Sequence, residues 1–439
     1  GDLKDCNNWR GIALLSVPGK VMSGIILERI KAAIDCTLRQ QQAGFRKGRS
    51  CCDQIFTLRH IIEKVTALDT NLIINFIDFK KAFDCLHRPA VWNILTCYGI
   101  PEKIIRVIQN FYKGSRCAVR SDGKIGDWFQ IITGVKQGCL LSPLIFLIVM
   151  DWILKHALDK NSVGLDWVDG RKLADLDFAD DIALLSETWN EMQETNKVED
   201  EAKKVGLHIN TQKTKLVKIG KIEDVRTIQA GGGQVEEVEQ FCYLGSVITN
   251  DSSCDKEIKT RLGKANTTFG RLTNIWRNKS LNVKVKVRLY DSLVLSTLKY
   301  GAETWSMTAA NMKKLEAAHH KWLRRILGIT WRDMVTNEEV GKRTGMGKIE
   351  DTLRKSRLRW FGHMHRMDTN RLPKQVLHWT PREGKRRRGR PRKNWNSTIV
   401  EDLRTIAMSW EEAETSAGDR TIWRSCVARC AAGTGRTKV

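Results

Sequence analysis

The sequence predicts an α+β fold, and three observations carry that prediction. Leu72 to Ile77 is a short apolar run that ends on Asp78, as a buried strand with a carboxylate at its exit would. Leu173 to Leu185 is apolar on both sides of Asp180-Asp181, the pattern of a hairpin with carboxylates at its tip. After Thr249 the apolar residues fall into helical repeats, beginning with Ile258, Leu262, Ala265, Phe269 and Leu272. At 439 residues the chain is long enough for two or three domains, and 41% hydrophobic and 28% charged residues suit folded cores and not wholesale disorder. A spanning helix needs about 20 apolar residues, and the longest run, Pro143 to Met150, stops at Asp151.

Taken in order, Val17 to Ile34 reads as a helix that opens after Pro18-Gly19, and Gln40 to Ser50 as a polar, basic turn. A second helix carries Ile55, Leu58, Ile61, Ile62 and Val65. Pro89 to Tyr98 and Pro101 to Phe111 are helices with proline in the first turn. Cys117 to Arg120 and Trp128 to Thr133 suggest a hairpin about Asp122-Gly123. Ser142-Pro143 opens a buried helix, Glu191 to Val205 is a charged helix, and Leu207 to Ile219 is a strand and turn. From about Arg332 the chain is a basic segment containing several tryptophans. The 12 cysteines are scattered without a C-x-x-C, so they read as small core residues in a reducing compartment. Cys426 and Cys430 lie one helical turn apart with no histidine to complete a zinc site, which favours packing over metal.

The formal net charge is +24, and it is unevenly spread. Between Lys342 and Lys393 stand 18 Lys and Arg against four acids, so this stretch alone holds 14 of the excess. Its densest part contains Lys385, Arg386, Arg387, Arg388, Arg390, Arg392 and Lys393, punctuated by Gly389 and Pro391. A one-signed run of this kind suits a flexible arm on phosphates, where each neutralised phosphate releases counterions. Arg388-Gly-Arg-Pro391 also resembles an AT-hook core, and equally a nuclear-import signal. Trp360, His363 and His365 either stack on unpaired bases or pack a small tail domain.

Three segments carry the chemistry. Phe76-Ile-Asp78-Phe79-Lys-Lys-Ala-Phe83-Asp84 places a carboxylate at a strand exit, and Phe178-Ala-Asp180-Asp181 places two more in a tight turn. Between them, Gly134-Val-Lys-Gln137-Gly138-Cys-Leu-Leu-Ser142-Pro143 is a glycine-flanked loop entering a helix. Carboxylates converging from neighbouring strand ends are what a pair of hard, oxygen-seeking cations needs. Asp175 and Asp177 alternate along the preceding strand and read as flanking charges.

In this order the segments resemble the reverse transcriptases of non-long-terminal-repeat, LINE-like retrotransposons, most closely the RTE type. Gln42-Ala-Gly-Phe-Arg46-Lys-Gly-Arg49-Ser50 is similar to the fingers motif, Gly206 to Lys215 to motif D, and Phe241-Cys-Tyr243-Leu244-Gly245 to the primer grip. The resemblance implies a right-hand polymerase. Residues 1–70 would be fingers, 71–248 the palm with inserted fingers elements, 249–331 a helical thumb and 332–439 a basic nucleic-acid-binding region. It implies that Asp78, Asp180 and Asp181 hold two Mg2+ ions, with Mn2+ as a substitute. Arg46, Arg49, Phe79, Phe83, Gln137 and Gly138 would bind the nucleotide, with Phe83 as a gate against the ribose 2′-hydroxyl; an ordinary core Phe is the other reading. Lys213 would protonate pyrophosphate, or is a plain exposed lysine. Tyr243, Leu244, Gly245 and the 385–393 cations would touch nucleic acid.

The partners implied are element RNA as template, a DNA primer at a nicked target, and deoxynucleoside triphosphates, with no membrane. A nuclear location with a cytoplasmic ribonucleoprotein stage follows. The family's endonuclease and a basic fingers strand precede these motifs and have no counterpart in this sequence, so a fragment of a larger polyprotein is expected. A catalytically silent nucleic-acid-binding descendant is the rival expectation.

Overall fold

The computed structural model describes residues 9, 11–121, 123–158, 163–194, 196–222, 226–386 and 388–431. They form two compact units, one of Gly1–Gln54 with Asn71–Val238, the other of Ile55–Thr70 with Glu239–Val439. Packing therefore divides the chain at Val238, ten residues before the palm end expected from the motifs.

The first unit is built on a five-stranded sheet of β1 (Leu72–Ile77), β2 (Asp175–Phe178), β3 (Asp181–Ser186), β4 (Lys215–Ile219) and β5 (Glu236–Glu237), in the order β5-β4-β1-β3-β2. Every pairing is antiparallel except β4 with β5. β1 is buried along its whole length because it is central, which is why its sequence is a continuous apolar run and not an alternating one. Helices α1 (Val17–Thr37) and α3 (Ser142–Leu158) accompany the sheet, while α2 (Cys51–Leu68) has its first four residues in this unit and the rest in the other. Pro18 stands in the first turn of α1, where its missing N–H costs nothing, and Ser16 Oγ caps the helix. α3 has no polar face: Ile145 to Met150 are all fully buried, as for a helix enclosed by other elements.

The charged helix expected over residues 191–205 is two, Trp189–Glu194 and Lys197–Lys204. Met192 and Val198 are both fully buried. Six residues apart on one unbroken helix they would point about 120° apart, so the break lets both reach the core. The hairpin expected about residues 122–123 is present as pairs of two-residue strands, Arg116–Cys117 with Phe129–Gln130 and Arg120–Ser121 with Lys124–Ile125; Asp122 lies outside the described residues.

The second unit holds one hairpin, β6 (Gln240–Tyr243) with β7 (Ser246–Thr249), and then helices, as the periodicity predicts. The principal ones are α4 (Asp255–Arg271), α5 (Ala309–Leu327), α6 (Ile349–His365), α7 (Trp395–Arg404) and α8 (Arg420–Ala428). Trp305 and Trp395 are fully buried, and Phe269 stacks on Trp276 at 5.0 Å. The basic C-terminal stretch thus folds around its tryptophans. Trp360 is buried with its ring edge-on to Phe56 at 5.7 Å, which decides for packing over base stacking. His319 is also buried, between the Tyr290 hydroxyl at 2.8 Å and the Gly347 carbonyl at 3.2 Å, and burial holds its imidazole down to about 4. Cys426 and Cys430 are buried, and no metal-holding group of His, Cys, Asp and Glu occurs among the described residues. Nor is any described helix long and apolar enough to cross a membrane.

Candidate active site

Asp78 leaves the end of β1, and the β1–β3 register pairs Ile77 with Ile182. Continued by one step, that register sets Asp78 opposite Asp181, so strand pairing alone brings the two carboxylates side by side. Phe178 pairs with Asp181, leaving Ala179-Asp180 as a two-residue turn. Only Ala179 has positive φ, 59°, at the position where such turns favour glycine. The turn carries strain of about 1 kcal/mol or more, which persists only if something holds it.

Gln42 holds it. Its side chain is 1% exposed, and its Oε1 accepts both the Gly44 N–H and the Ala179 N–H at 2.8 Å. Backbone bonds of Ala43 and Gln41 to Asp177, and Gln54 Nε2 donating to the Asp177 carbonyl at 2.7 Å, fasten the same loop to β2. Gly44 allows the approach: a Cβ there would stand 2.3 Å from the Ala179 amide nitrogen. Gly44→Ala is therefore expected to displace the Asp180 turn. A misplacement of about 1 Å costs on the order of 10²-fold in rate, so kcat for nucleotide incorporation should fall by about that much with KM little changed. A steady-state comparison checks it, and wild-type kcat in the variant would remove the positioning role.

The remaining expected site residues fall into two groups. Lys213 Nζ lies 3.6 Å from Asp78 Oδ2, and the Asn210 N–H donates to the Asp78 carbonyl at 2.8 Å, so motif D borders the carboxylates. Phe83 is half-buried with its ring stacked on Phe146 at 4.5 Å and 10°, which fixes its orientation. Gln137 is half-buried and Gly138 exposed at the entrance to α3, and the Gln137 carbonyl accepts from Ala13 at 2.7 Å. Arg88, which the sequence did not single out, donates to the carbonyls of Ile131, Thr133 and Gly134 and so holds this loop.

Four of the expected contact residues are engaged inside the fold. The Arg46 side chain is 3% exposed, with Nε on Asp35 at 2.7 Å and its other nitrogens on the carbonyls of Asp35, Arg39 and Gln42. Its fork is occupied inside the loop and cannot grip a triphosphate in this arrangement. Arg49 likewise donates to the Gln40 carbonyl and side chain, 2.6 and 2.5 Å away. Phe79 bridges to Ile209 and is 5% exposed, a core residue that cannot touch a nucleotide with its ring. Tyr243 is similarly buried; the tip of its hairpin is Leu244-Gly245, whose carbonyls accept from Tyr300 and Arg261. In the basic segment, Arg388, Arg390, Arg392 and Lys393 line a cavity of about 470 Å³ with Glu63 and Ser252, and Lys385 and Arg386 are exposed. Arg387 lies outside the described residues.

Electrostatically the site asks for cations. Burial, and then the charges of Asp180 and Asp78, push the Asp181 carboxyl up to about 6. Asp78 Oδ2 is buried without a hydrogen bond. The donors are all carboxylate oxygens, the set that suits Mg2+, although among the described residues they are not drawn into a closed metal-holding group.

Residues 3–248 match the family model described as reverse transcriptase (RNA-dependent DNA polymerase), more than half of the chain. The chain belongs to the reverse transcriptase family. Its relatives include proteins of retrotransposable elements. A transposon-derived protein of Caenorhabditis elegans is 29% identical, over 60% of this chain and 98% of that protein. The Pol polyprotein of the type-2 retrotransposable element R2DM of Drosophila melanogaster is 30% identical over 54% of this chain and 23% of its own length. The RNA-directed DNA polymerase from the X-element transposon of the same fly is 25% identical over 86% of this chain and 42% of its own. The chain thus spans nearly all of the worm protein and less than half of either fly protein. Among solved structures, apo telomerase from Candida tropicalis aligns over 82% of this chain and 60% of that one, at 13% identity and a TM-score of 0.39.

Proposed function

We propose that this reverse transcriptase copies retrotransposon RNA into DNA by extending a DNA primer at a nicked target with deoxynucleoside triphosphates. The observation that carries the reading is the meeting of Asp78 and Asp181 at paired strand ends, with Asp180 in the adjoining turn and Asp181 pushed up to about 6 by its neighbours. Asp78, Asp180 and Asp181 would hold two Mg2+ ions, or Mn2+, which when bound lower the pKa of the primer hydroxyl and neutralise charge on the leaving pyrophosphate. Lys213, 3.6 Å from Asp78 at the edge of the site, would give a proton to that pyrophosphate. Gln137 and Gly138 lie on the loop that would underlie the base pair being formed. A nuclear site of action with a cytoplasmic ribonucleoprotein stage fits a protein that must meet both element RNA and chromosomal DNA.

Phe83 supplies the specificity test. Its ring is held by Phe146 and would collide with a ribose 2′-hydroxyl. Primer extension on poly(rA)/oligo(dT) with Mg2+ should use dTTP and reject UTP. Phe83→Ala should cut that discrimination by about 10²-fold, the scale set by a single pocket contact. Extension with UTP by the unaltered chain would overturn the assignment of a DNA polymerase, and unchanged discrimination in the variant would overturn the gate.

A further inference from the structure

We propose that a cationic groove between α6 and α8 binds the phosphate backbone of nucleic acid without regard to sequence, at a place separate from the 385–393 run. The groove exists because of one close packing. A Cβ on Gly362 would stand 2.2 Å from Trp423, so only glycine lets the indole lie flat against α6, where its Nε1 donates to the Leu358 carbonyl at 2.8 Å. Glycine inside a helix costs about 1 kcal/mol, and here the cost is offset by burying a tryptophan.

That contact forms the floor of a cavity of about 890 Å³ whose walls carry Lys355, Arg359 and His363 from α6, Arg366 at its C-terminal cap, and Arg420 and Arg424 from α8, with no carboxylate in its lining. The spacing of four, four and three residues keeps these four side chains on one face. The same helix sorts its cations by face. Arg354 and Arg357 are paired with Asp402, Glu350 and Asp351. Lys355, Arg359, Arg420 and Arg424 have no carboxylate within ion-pair distance among the described residues, and Arg359, Arg420 and Arg424 are exposed. Burial and then the charge of Arg420 hold the Arg366 guanidinium below its ordinary value against the opposing pull of Asp419, which lies outside the lining, so like charges have been brought together. Folding gains nothing from gathering unpaired cations; a polyanion does.

The stripe from Lys355 to Arg366 runs about 16 Å along the helix, at about 1.5 Å per residue. That is about five steps of a B-form strand at 3.4 Å each, so a repeating phosphate chain fills the groove where a single small anion would occupy one end. Trp423 is buried in the floor, and the exposed ring in the lining is the single imidazole of His363 against five Lys and Arg side chains, so backbone charge and not base sequence is what the groove reads.

The test uses the full chain, a labelled DNA duplex of random sequence, no nucleotide, and binding measured across a salt series. Because no polymerisation is involved, its outcome is independent of the proposed activity. Replacing the exposed Arg359, Arg420 and Arg424 with Gln should lower the slope of log affinity against log salt by about 2 to 3, at roughly 0.9 per phosphate contact, and deleting residues 385–393 should lower it further. Lysine at the same three positions should restore the slope. An unchanged slope in the Gln variant with a native thermal melt would overturn the proposal and point to an acidic protein surface instead. Failure of the folded Lys variant to restore binding would overturn sequence-independent charge recognition.

Discussion

Asp180→Ala is expected to lower primer extension on an RNA template by about 10³-fold or more while the melting temperature stays close to that of the parent chain. Asp180 stands in a two-residue turn, outside the ladder pairing of β2 with β3, so its replacement leaves the strand register intact. Its loss relieves charge repulsion on Asp181, which it helps to push up. What is lost is a ligand: if bound cations supply several kcal/mol of charge stabilisation at the reacting phosphate, removing one carboxylate costs about 4 kcal/mol, or on the order of 10³ in rate. Asp78→Asn should behave alike. Extension assays beside thermal melts separate the two effects. Activity unaffected by Asp180→Ala would sink the metal-site assignment, whereas equal loss of activity and melting temperature would mean that the turn is structural.

The carboxylates were legible because local pattern was enough. A continuous apolar run ending on Asp78 announces a central strand and its exit, and two apolar arms about Asp180-Asp181 announce a hairpin. The groups that hold them were not legible. Gln42 lies 137 residues from Ala179, and Arg39 lies 112 to 138 residues from the aspartates it meets. A lone polar residue at a helix end has no period to betray a partner so far along the chain. Arg46 was misread for a related reason: a motif gives the residue type, and only the fold decides that its fork closes on Asp35 and three carbonyls. Phe79 shows the same limit: the motif places it beside the nucleotide, and the fold bridges it to Ile209 and buries its ring. In the basic segment a small packed domain was one of the readings, but charge density hid how its cations are used, since Arg357 is spent on Asp402 inside it.

Arg39→Met is the substitution expected to cost the most stability, about 3–5 kcal/mol, a large fraction of the 5–15 kcal/mol that holds a typical domain. The Arg39 side chain is 7% exposed and its guanidinium lies 2.5 Å from Asp175, 2.8 Å from Asp177 and 3.7 Å from Asp151, while the Asp151 side chain also accepts the Arg39 N–H at 2.8 Å. Lys155 is the other cation, 2.8 Å from Asp151. Three buried carboxylates against two cations leave one negative charge too many, and burial, followed by the charge of Asp175, raises Asp177 well above the usual carboxylate range. Asp177 therefore retains a proton at pH values where the unfolded chain has lost it. A carboxyl raised on folding contributes stability that is complete below its unfolded value near 4 and is lost as pH rises through its folded value. Denaturant melts of the parent chain should accordingly show the first unit losing stability toward alkaline pH, and Asp177→Asn, which keeps the shape without the charge, should flatten that loss. Arg39→Met should be destabilised at neutral pH and regain part of the deficit on mild acidification, when the abandoned carboxylates can protonate. Because β2 carries Asp175 and Asp177 directly into the Ala179-Asp180 turn, the same variant should lose polymerase activity at temperatures below its melting point. A stable, fully active Arg39→Met chain would mean that the aspartates are neutral in the fold and that the network contributes nothing to holding the site.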